Sequence, residues 1–167
     1  MRRKITIVCA LAVMLVSGCT KSTIVNSEQP AEPVFETQEG IVLDWTQIGE
    51  DLDENFLDNE EYPMAVSINY FVRPEDNALD LTLMVKDTAT AEEAVEFADA
   101  VIRYINDEAA TQDFSYERST PNSYGGFFKE YSINLIVMPD GAMETKESWL
   151  VDMKIPAGSE ERIVPVT

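Results

Sequence analysis

Residues 64–86 read MAVSINYFVRPEDNALDLTLMVK, and the order of side chains in this stretch sets the fold class. Apolar residues alternate with small or polar ones on both sides of a polar segment at 73–77. Alternation with a period of two is typical of strands that bury one face, and Arg73-Pro74-Glu75-Asp76-Asn77 is typical of a turn. We therefore predict a hairpin of two antiparallel strands with one face on the core.

A helix is predicted on each side of this hairpin. Asp44 can cap the free amides of the first helix, and Gln47 follows three residues later, as a capping box requires. Thr90 and Glu93 have the same spacing at the start of the second helix. Apolar residues then recur at helical spacing. They are Trp45, Ile48, Leu52 and Phe56 in the first helix and Ala94, Val95, Ala98, Val101, Ile102, Ile105 and Ala109 in the second.

Further strands are predicted after the second helix. Phe114 and Tyr116 suggest a short strand, while residues 127–138 and 149–155 have the composition or the alternation of longer ones. Residues 162–166 could add an edge strand, although Pro165 has no amide to donate. These elements predict an α+β domain with an antiparallel sheet of about five strands and two helices packed on one face.

The first nineteen residues have the order of a secretory signal. Residues 2–4 are basic and precede an apolar run at 5–16, which is shorter than the roughly 20 residues that a membrane-spanning helix needs. Val16-Ser17-Gly18-Cys19 resembles the lipobox of bacterial lipoproteins. The resemblance implies cleavage before Cys19, diacylglycerol on its sulfur, and an extracytoplasmic location on the bacterial cell membrane.

Three segments are therefore expected along the chain. Residues 1–18 form the signal peptide, residues 19–40 form a lipidated N-terminus and flexible tether, and residues 41–167 form a single α+β domain. Cys19 is the only cysteine after processing, because Cys9 lies in the signal, so no internal disulfide is expected. Two acyl chains hold a protein on a bilayer without a spanning helix, so the membrane is the first expected partner.

The chain is strongly acidic. It has 31 acidic and 12 basic residues and a net charge of −19, and removal of residues 1–18 takes away three basic residues and leaves −22. Such a surface repels phosphate backbones, so we expect no nucleic-acid partner. The charge also favours a soluble, monomeric domain, and it leaves cationic partners and divalent metals as compatible ligands.

Several catalytic chemistries are excluded by the sequence. The chain contains no histidine, which excludes Ser-His-Asp and Cys-His catalysis and every metal site that needs imidazole. Neither a G-x-G-x-x-G fingerprint nor a G-x-x-x-x-G-K loop occurs. We therefore expect no cofactor.

An aromatic group and an acidic group are the candidate ligand sites. The aromatic group could stack on sugars or hold a peptide, although filling the core is the stronger interpretation for strand aromatics. The acidic group could gather a divalent ion with poor specificity. The aromatic residues are Tyr124, Phe127, Phe128, Tyr131 and Trp149, and the acidic residues are Asp58, Glu60 and Glu61.

A second acidic stretch, at 51–55, begins like a calcium-binding loop with oxygen ligands at alternate positions. Phe56 and Tyr62 stand where such a loop needs a glycine and a bidentate glutamate. The helix that begins at Asp44 explains the same acids as a solvated face. The stretch is therefore predicted to be helical.

The leading functional hypothesis is a non-catalytic envelope lipoprotein whose domain binds an envelope protein, a peptide or a cell-wall component. An exposed strand edge would bind a peptide without any special side chain. One alternative is a small hydrolase that uses two carboxylates to cleave envelope glycan. The other is a surface or adhesion domain that depends on calcium.

Overall fold

Three helices and four strands follow one another along the described part of the chain. A computed structural model of the protein describes residues 41–167. The α+β class is confirmed. In chain order the elements are α1 (Trp45–Phe56), β1 (Ala65–Arg73), β2 (Ala78–Val85), α2 (Ala91–Gln112), the single-turn helix α3 (Phe127–Glu130), β3 (Ser132–Pro139) and β4 (Val151–Ile155), with short 3-10 turns at Pro74–Asp76 and Lys146–Ser148.

The four strands form one mixed sheet in the order β1-β2-β3-β4. The predicted hairpin is confirmed, because β1 and β2 pair antiparallel and Arg73 lies opposite Ala78. β3 and β4 also pair antiparallel, whereas β2 and β3 pair parallel from Ala78 opposite Ser132 to Val85 opposite Pro139. The prediction of an entirely antiparallel sheet is wrong, because a helical crossover returns the chain before β3 begins.

The prediction of about five strands is also wrong in detail. Residues 113–126 form a loop with a single isolated bridge between Thr120 and Ser123, so the short strand predicted at Phe114 and Tyr116 does not form. Residues 127–130 form α3 rather than the start of a strand. Near the C-terminus the amide of Val166 donates to the carbonyl of Leu150, but residues 156–167 contain no strand.

The core lies against one face of the sheet. Alternate residues of β2 and β3 point into it, and each is at most 1% exposed. Both longer helices contribute their apolar stripes to the same cluster. The inward residues of the two central strands are Leu79, Leu81, Leu83, Val85, Ile133, Leu135 and Val137.

The helix caps follow the sequence signals with one change of partner. Thr90 and Glu93 form the predicted reciprocal capping box. The Asp44 carboxylate accepts hydrogen bonds from the amides of Thr46 and Gln47, as a cap does, at 3.0 and 3.1 Å. The amide of Asp44, however, donates to the side chain of Gln112 at 2.6 Å, so the end of α2 supplies the reciprocal bond to α1.

One buried amide side chain fixes the loop that leads from α2 to α3. Asn106 is fully buried, and its Nδ2 donates to the carbonyl of Glu117 at 3.0 Å. Its Oδ1 accepts from the amide of Phe127, also at 3.0 Å. Gly125 has a φ of 100°, and a Cβ there would lie 2.0 Å from the Asn106 side chain. Only glycine therefore allows the backbone to approach this amide.

Two more side chains of the same α2 surface bond to the loop. The Asp107 carboxylate accepts from the amide and hydroxyl of Ser119 at 2.6 and 3.1 Å. The Arg103 guanidinium donates to the carbonyls of Thr120 and Ser123. Arg103, Asn106 and Asp107 lie three and four residues apart, so they project from one side of the helix. This side of α2 supplies the partners that the irregular backbone needs.

Replacement of Asn106 by alanine is expected to lower the free energy of unfolding by about 2 kcal/mol. The substitution leaves the buried Phe127 amide without a partner, which costs about 1–3 kcal/mol. The Glu117 carbonyl loses the bond from Asn106 but keeps the bond from the amide of Gly126 at 2.7 Å. Urea unfolding followed by tryptophan fluorescence measures the change. Asn69→Ala is the matched control on an exposed site, with an expected change within about 0.5 kcal/mol. Equal effects of the two substitutions would contradict the role given to Asn106.

Candidate binding site at the β1 edge

β1 is an outer strand of the sheet, and its free edge faces no other backbone in residues 41–167. The amide of Ala65 bonds to the carbonyl of Tyr62, but the backbone groups of residues 66–73 bond to β2 alone. The strand is nine residues long. It therefore presents a row of main-chain donors and acceptors to which an additional strand could pair.

The opposite edge of the sheet is partly covered by the chain's own C-terminal segment. The amide of Val166 bonds to the carbonyl of Leu150, next to the start of β4, at 2.9 Å. The amide of Val164 lies 3.2 Å from the sulfur of Met153 within β4. Ile163 is buried in the core. The two edges thus differ, because residues 163–166 lie along β4 and no described segment lies along β1.

Apolar surface is exposed on both faces of β1. On the outer face Phe71 is 65% exposed, although this register is otherwise polar at Ser67 and Asn69. On the inner face Ile68, Tyr70 and Val72 are only half-buried, whereas the inward residues of β2 and β3 are fully buried. The hydrophobic layer of the domain is therefore incomplete at this edge.

An ion-pair network fixes the polar surface beside Phe71. Arg73 donates to both carboxylate oxygens of Asp80 at 3.0 Å, and Asn134 donates to the same carboxylate at 2.5 Å. The bond from Asn134, followed by the bond and charge of Arg73, lowers the pKa of Asp80. Asp80 is the residue opposite Phe71 in the sheet. The exposed Phe71 ring thus lies beside the Asp80 carboxylate, which Arg73 and Asn134 hold in place.

Helix α1 lies over the inner face of β1 and carries only acidic charges. The Tyr70 hydroxyl donates to the carbonyl of Trp45, and a Cβ at Gly49 would meet that hydroxyl at 2.5 Å. Trp45, Gly49 and Asp53 are spaced four residues apart, so Asp53 continues the side of the helix that meets Tyr70. Burial raises the pKa of Tyr70, and the charges of Asp53 and Asp44 raise it further.

The five aromatic residues considered as a ligand site do not form one exposed surface. Tyr124, Phe127 and Phe128 are at most 5% exposed and belong to the core cluster. The ring of Tyr131 stacks on that of Phe127 with centroids 4.4 Å apart. Trp149 lies elsewhere, with Lys146 over its ring and its Nε1 bonded to the carbonyl of Ala142. The packing thus matches the core interpretation for three of the five.

The acidic loop after α1 does not gather its carboxylates into a metal site. No group of three acidic side chains within residues 41–167 is placed to hold a metal ion. Asp58 has a φ of 53°, and Glu60 and Glu61 line a 360 Å³ depression shared with Glu93 and Glu96 of α2. Residues 51–55, which begin like a calcium-binding loop, lie within α1 as predicted.

A groove of 590 Å³ lies between α2, the loop after it and residues 160–163. Its walls include the Arg103 guanidinium, whose donors are already bonded to Asp99 and to two loop carbonyls. The guanidinium also lies 5.1 Å from the centre of the Tyr124 ring. The Tyr124 hydroxyl in turn donates to the carbonyl of Glu161. The guanidinium of Arg103 and the hydroxyl of Tyr124 therefore hold the fold together.

Cys19, the residue on which the lipoprotein prediction rests, lies outside the described residues. Within residues 41–167 no helix has the length and apolar character that would let it cross a bilayer. Comparison of the chain with protein-family models, with curated proteins and with solved structures found no match.

Sequence reasoning missed the side chains that distinguish β1. Phe71 shares its face of the strand with Ser67 and Asn69, and an aromatic residue among polar ones at 65–71 is the sequence signal of an exposed apolar site. The role of Asp53 had no such signal. The position of Asp53 beside Tyr70 depends on how α1 crosses the sheet, and no local sequence pattern encodes that crossing.

The position of Asp53 beside the β1 edge can be tested by titrating Tyr70. Because the folded-state pKa is raised above the ordinary value of about 10, this tyrosine stabilises the fold fully below that pH and loses the contribution as pH rises through the folded pKa. Asp53→Asn removes a neighbouring negative charge and is expected to lower the Tyr70 pKa. NMR of the labelled tyrosine ring carbon, assigned with Tyr70→Phe, measures it.

Glu147→Gln is the control for this titration, because it removes the same charge from an exposed residue in the connection between β3 and β4. It is expected to leave the pKa of Tyr70 unchanged. Equal shifts in the two variants would mean that the phenol senses only the total charge, and the proposed proximity of Asp53 would be wrong.

Proposed function

We propose that this chain is a lipid-anchored protein of the bacterial cell envelope whose domain binds an extended segment of another envelope protein along β1. The observation that carries the proposal is the free edge of this nine-residue strand, with an exposed phenylalanine on it. A peptide that pairs with a sheet edge gains main-chain hydrogen bonds, and side-chain sites beside the edge give specificity. Phe71 is the candidate anchor, since aromatic residues dominate the energetics of interfaces.

Three carboxylates with displaced pKa values do not fit the general acid that the alternative of a carboxylate hydrolase requires. A glycosidase needs one acid whose pKa is raised so that it can donate a proton. Within residues 41–167 the pKa values of Asp80, Glu93 and Glu117 are displaced, and hydrogen bonds or ion pairs lower all three. These three carboxylates are thus suited to structural pairing and not to proton donation.

The lipid anchor would hold such a domain at the membrane surface. The lipobox-like residues 16–19 support attachment at Cys19, and two acyl chains suffice for stable membrane binding. A partner on the same membrane would then be met at a high effective concentration, so a modest affinity would suffice.

Intact-mass spectrometry of the protein purified from its native membrane tests the anchor. The expected mass is that of a chain beginning at Cys19 and carrying a diacylglycerol group, and Cys19→Ser is expected to remove the lipid. Alkaline carbonate extraction of that variant is a control for peripheral attachment. A free thiol at Cys19, or residues 1–18 still attached, would contradict the anchor.

Photocrosslinking in intact cells tests the binding edge. A photoreactive amino acid replaces Asn69, an exposed residue of β1, or Asp152, an exposed residue of β4. We expect a discrete adduct with one protein from position 69 and none from position 152. Phe71→Ser should remove most of the adduct, since truncation of an aromatic anchor costs about 2 kcal/mol or more.

Phe114→Ser is the matched control for Phe71→Ser, because Phe114 is 81% exposed on the loop after α2. It changes composition and exposed apolar area in the same way, and it should leave the adduct intact. Thermal melting of both variants checks that neither unfolds the domain. Loss of the adduct in both variants, or adducts from position 152 alone, would contradict binding at β1.

A further inference from the structure

We infer that the segment bound at β1 is an amphipathic, positively charged strand, with apolar residues that complete the hydrophobic layer and lysine or arginine side chains that meet the acidic surface of α1. The inference rests on the proposed function, and it specifies the chemistry of the partner. It depends on the incomplete burial of the β1 inner face and on the charge of the helix above it.

The incomplete burial specifies where the apolar side chains of the partner point. Side chains of neighbouring strands in a sheet pack side by side on each face. Ile68, Tyr70 and Val72 are half-buried because no strand lies beside them. Apolar residues at alternate positions of an added strand would cover them, as β2 covers their other side. The partner is therefore expected to alternate between apolar and polar residues.

Charge specifies the polar side chains of the partner. Residues 41–167 contain 27 acidic and eight basic residues. Within α1 there are four acidic residues and no basic one, and Glu50 and Asp53 are exposed. An added strand would lie beside Tyr70, whose neighbour on α1 is Asp53. Basic side chains near the helix would be attracted, and acidic ones would be repelled.

The same charges disfavour a second copy of this chain as the occupant. Pairing of two β1 strands would bring two strongly acidic domains together, and each would present the exposed acids of its α1 near the joint. A different, basic segment would supply the opposite charge along its length. Residues 65–72 themselves carry no charge, so the selection comes from α1 rather than from the strand.

The experiment compares two synthetic peptides of the same length as β1. Both alternate valine and threonine, and they carry either lysine or glutamate at each end. Fluorescence anisotropy with the purified protein measures affinity, and hydrogen exchange locates the bound peptide. We expect the lysine peptide to bind about tenfold more tightly than the glutamate peptide and to protect the amides of β1. The difference should shrink near 1 M salt, where the screening length is about 3 Å.

Charge-neutral variants locate the attraction on α1. Glu50→Gln combined with Asp53→Asn should remove most of the preference for lysine. Glu144→Gln combined with Glu147→Gln removes the same charge from exposed residues between β3 and β4, and it should leave most of the preference in place. Equal losses in the two double variants would overturn the role of α1.

The outcomes separate this inference from the proposed function. Protection of β1 by both peptides with equal affinity would overturn the charge requirement and leave strand addition standing. If neither peptide protected β1, the inference would be overturned. The crosslink from position 69 would then test the proposed function independently. Protection of the β1 amides from exchange that rises with protein concentration in the absence of peptide would overturn the inference, because it would show that a second copy of the chain occupies this edge.

Discussion

The parallel pairing of β2 with β3 is the constraint from which the rest of the architecture follows. Two parallel neighbours cannot be joined by a tight turn, so the chain must leave one end of the sheet and return to the other. Residues 86–131 make this crossing, and α2 is its main element. The parallel pair occupies the centre of the sheet, so the hairpin partner β1 and the late strand β4 form its two edges.

The return half of the crossing has little regular structure, and Asn106 compensates for this. A loop that packs against a core brings backbone amides and carbonyls that must find partners. Asn106 bonds to both ends of the 117–127 segment, and the neighbouring Asp107 and Arg103 bond to its middle. This arrangement seats Phe127 in the core, so the aromatic residues around it act in packing. A polar residue within a helical stripe thereby determines where an aromatic group lies.

Signals contained within one element predict that element well. Thr90 and Glu93 are three residues apart and form their capping box as expected, and the alternation at 64–86 gives the hairpin. Such signals depend only on residues that are close in sequence, so they can be recognised before the fold is known. The hairpin at 65–85, the helix at 91–112 and the uninterrupted apolar run at 135–139 also carried a signal for a parallel crossover, because strands of parallel pairs are commonly buried on both faces.

Features that depend on contacts between distant segments could not be predicted from such local patterns. The reciprocal bond at Asp44 comes from Gln112, 68 residues away, and not from Gln47, which the sequence pattern favours. The exposure of Phe71 likewise depends on β1 having no neighbour on its outer side. Period-two alternation fixes which face a residue occupies, but it is silent on whether the strand lies at the centre or the edge of the sheet.

The contrast between the two sheet edges connects the charge of the chain to its proposed role. Natural proteins protect free edges with charges, prolines, bulges or covering segments. The β4 edge has residues 163–166 beside it, whereas β1 has an irregularity between Ala65 and Ser67 and a single charge at Arg73. An uncharged edge with an exposed phenylalanine would pair readily with another copy, and the strong negative charge of the domain opposes that pairing. The acidic surface would thus prevent β1 from pairing with β1 of another copy and leave this edge available to a basic strand.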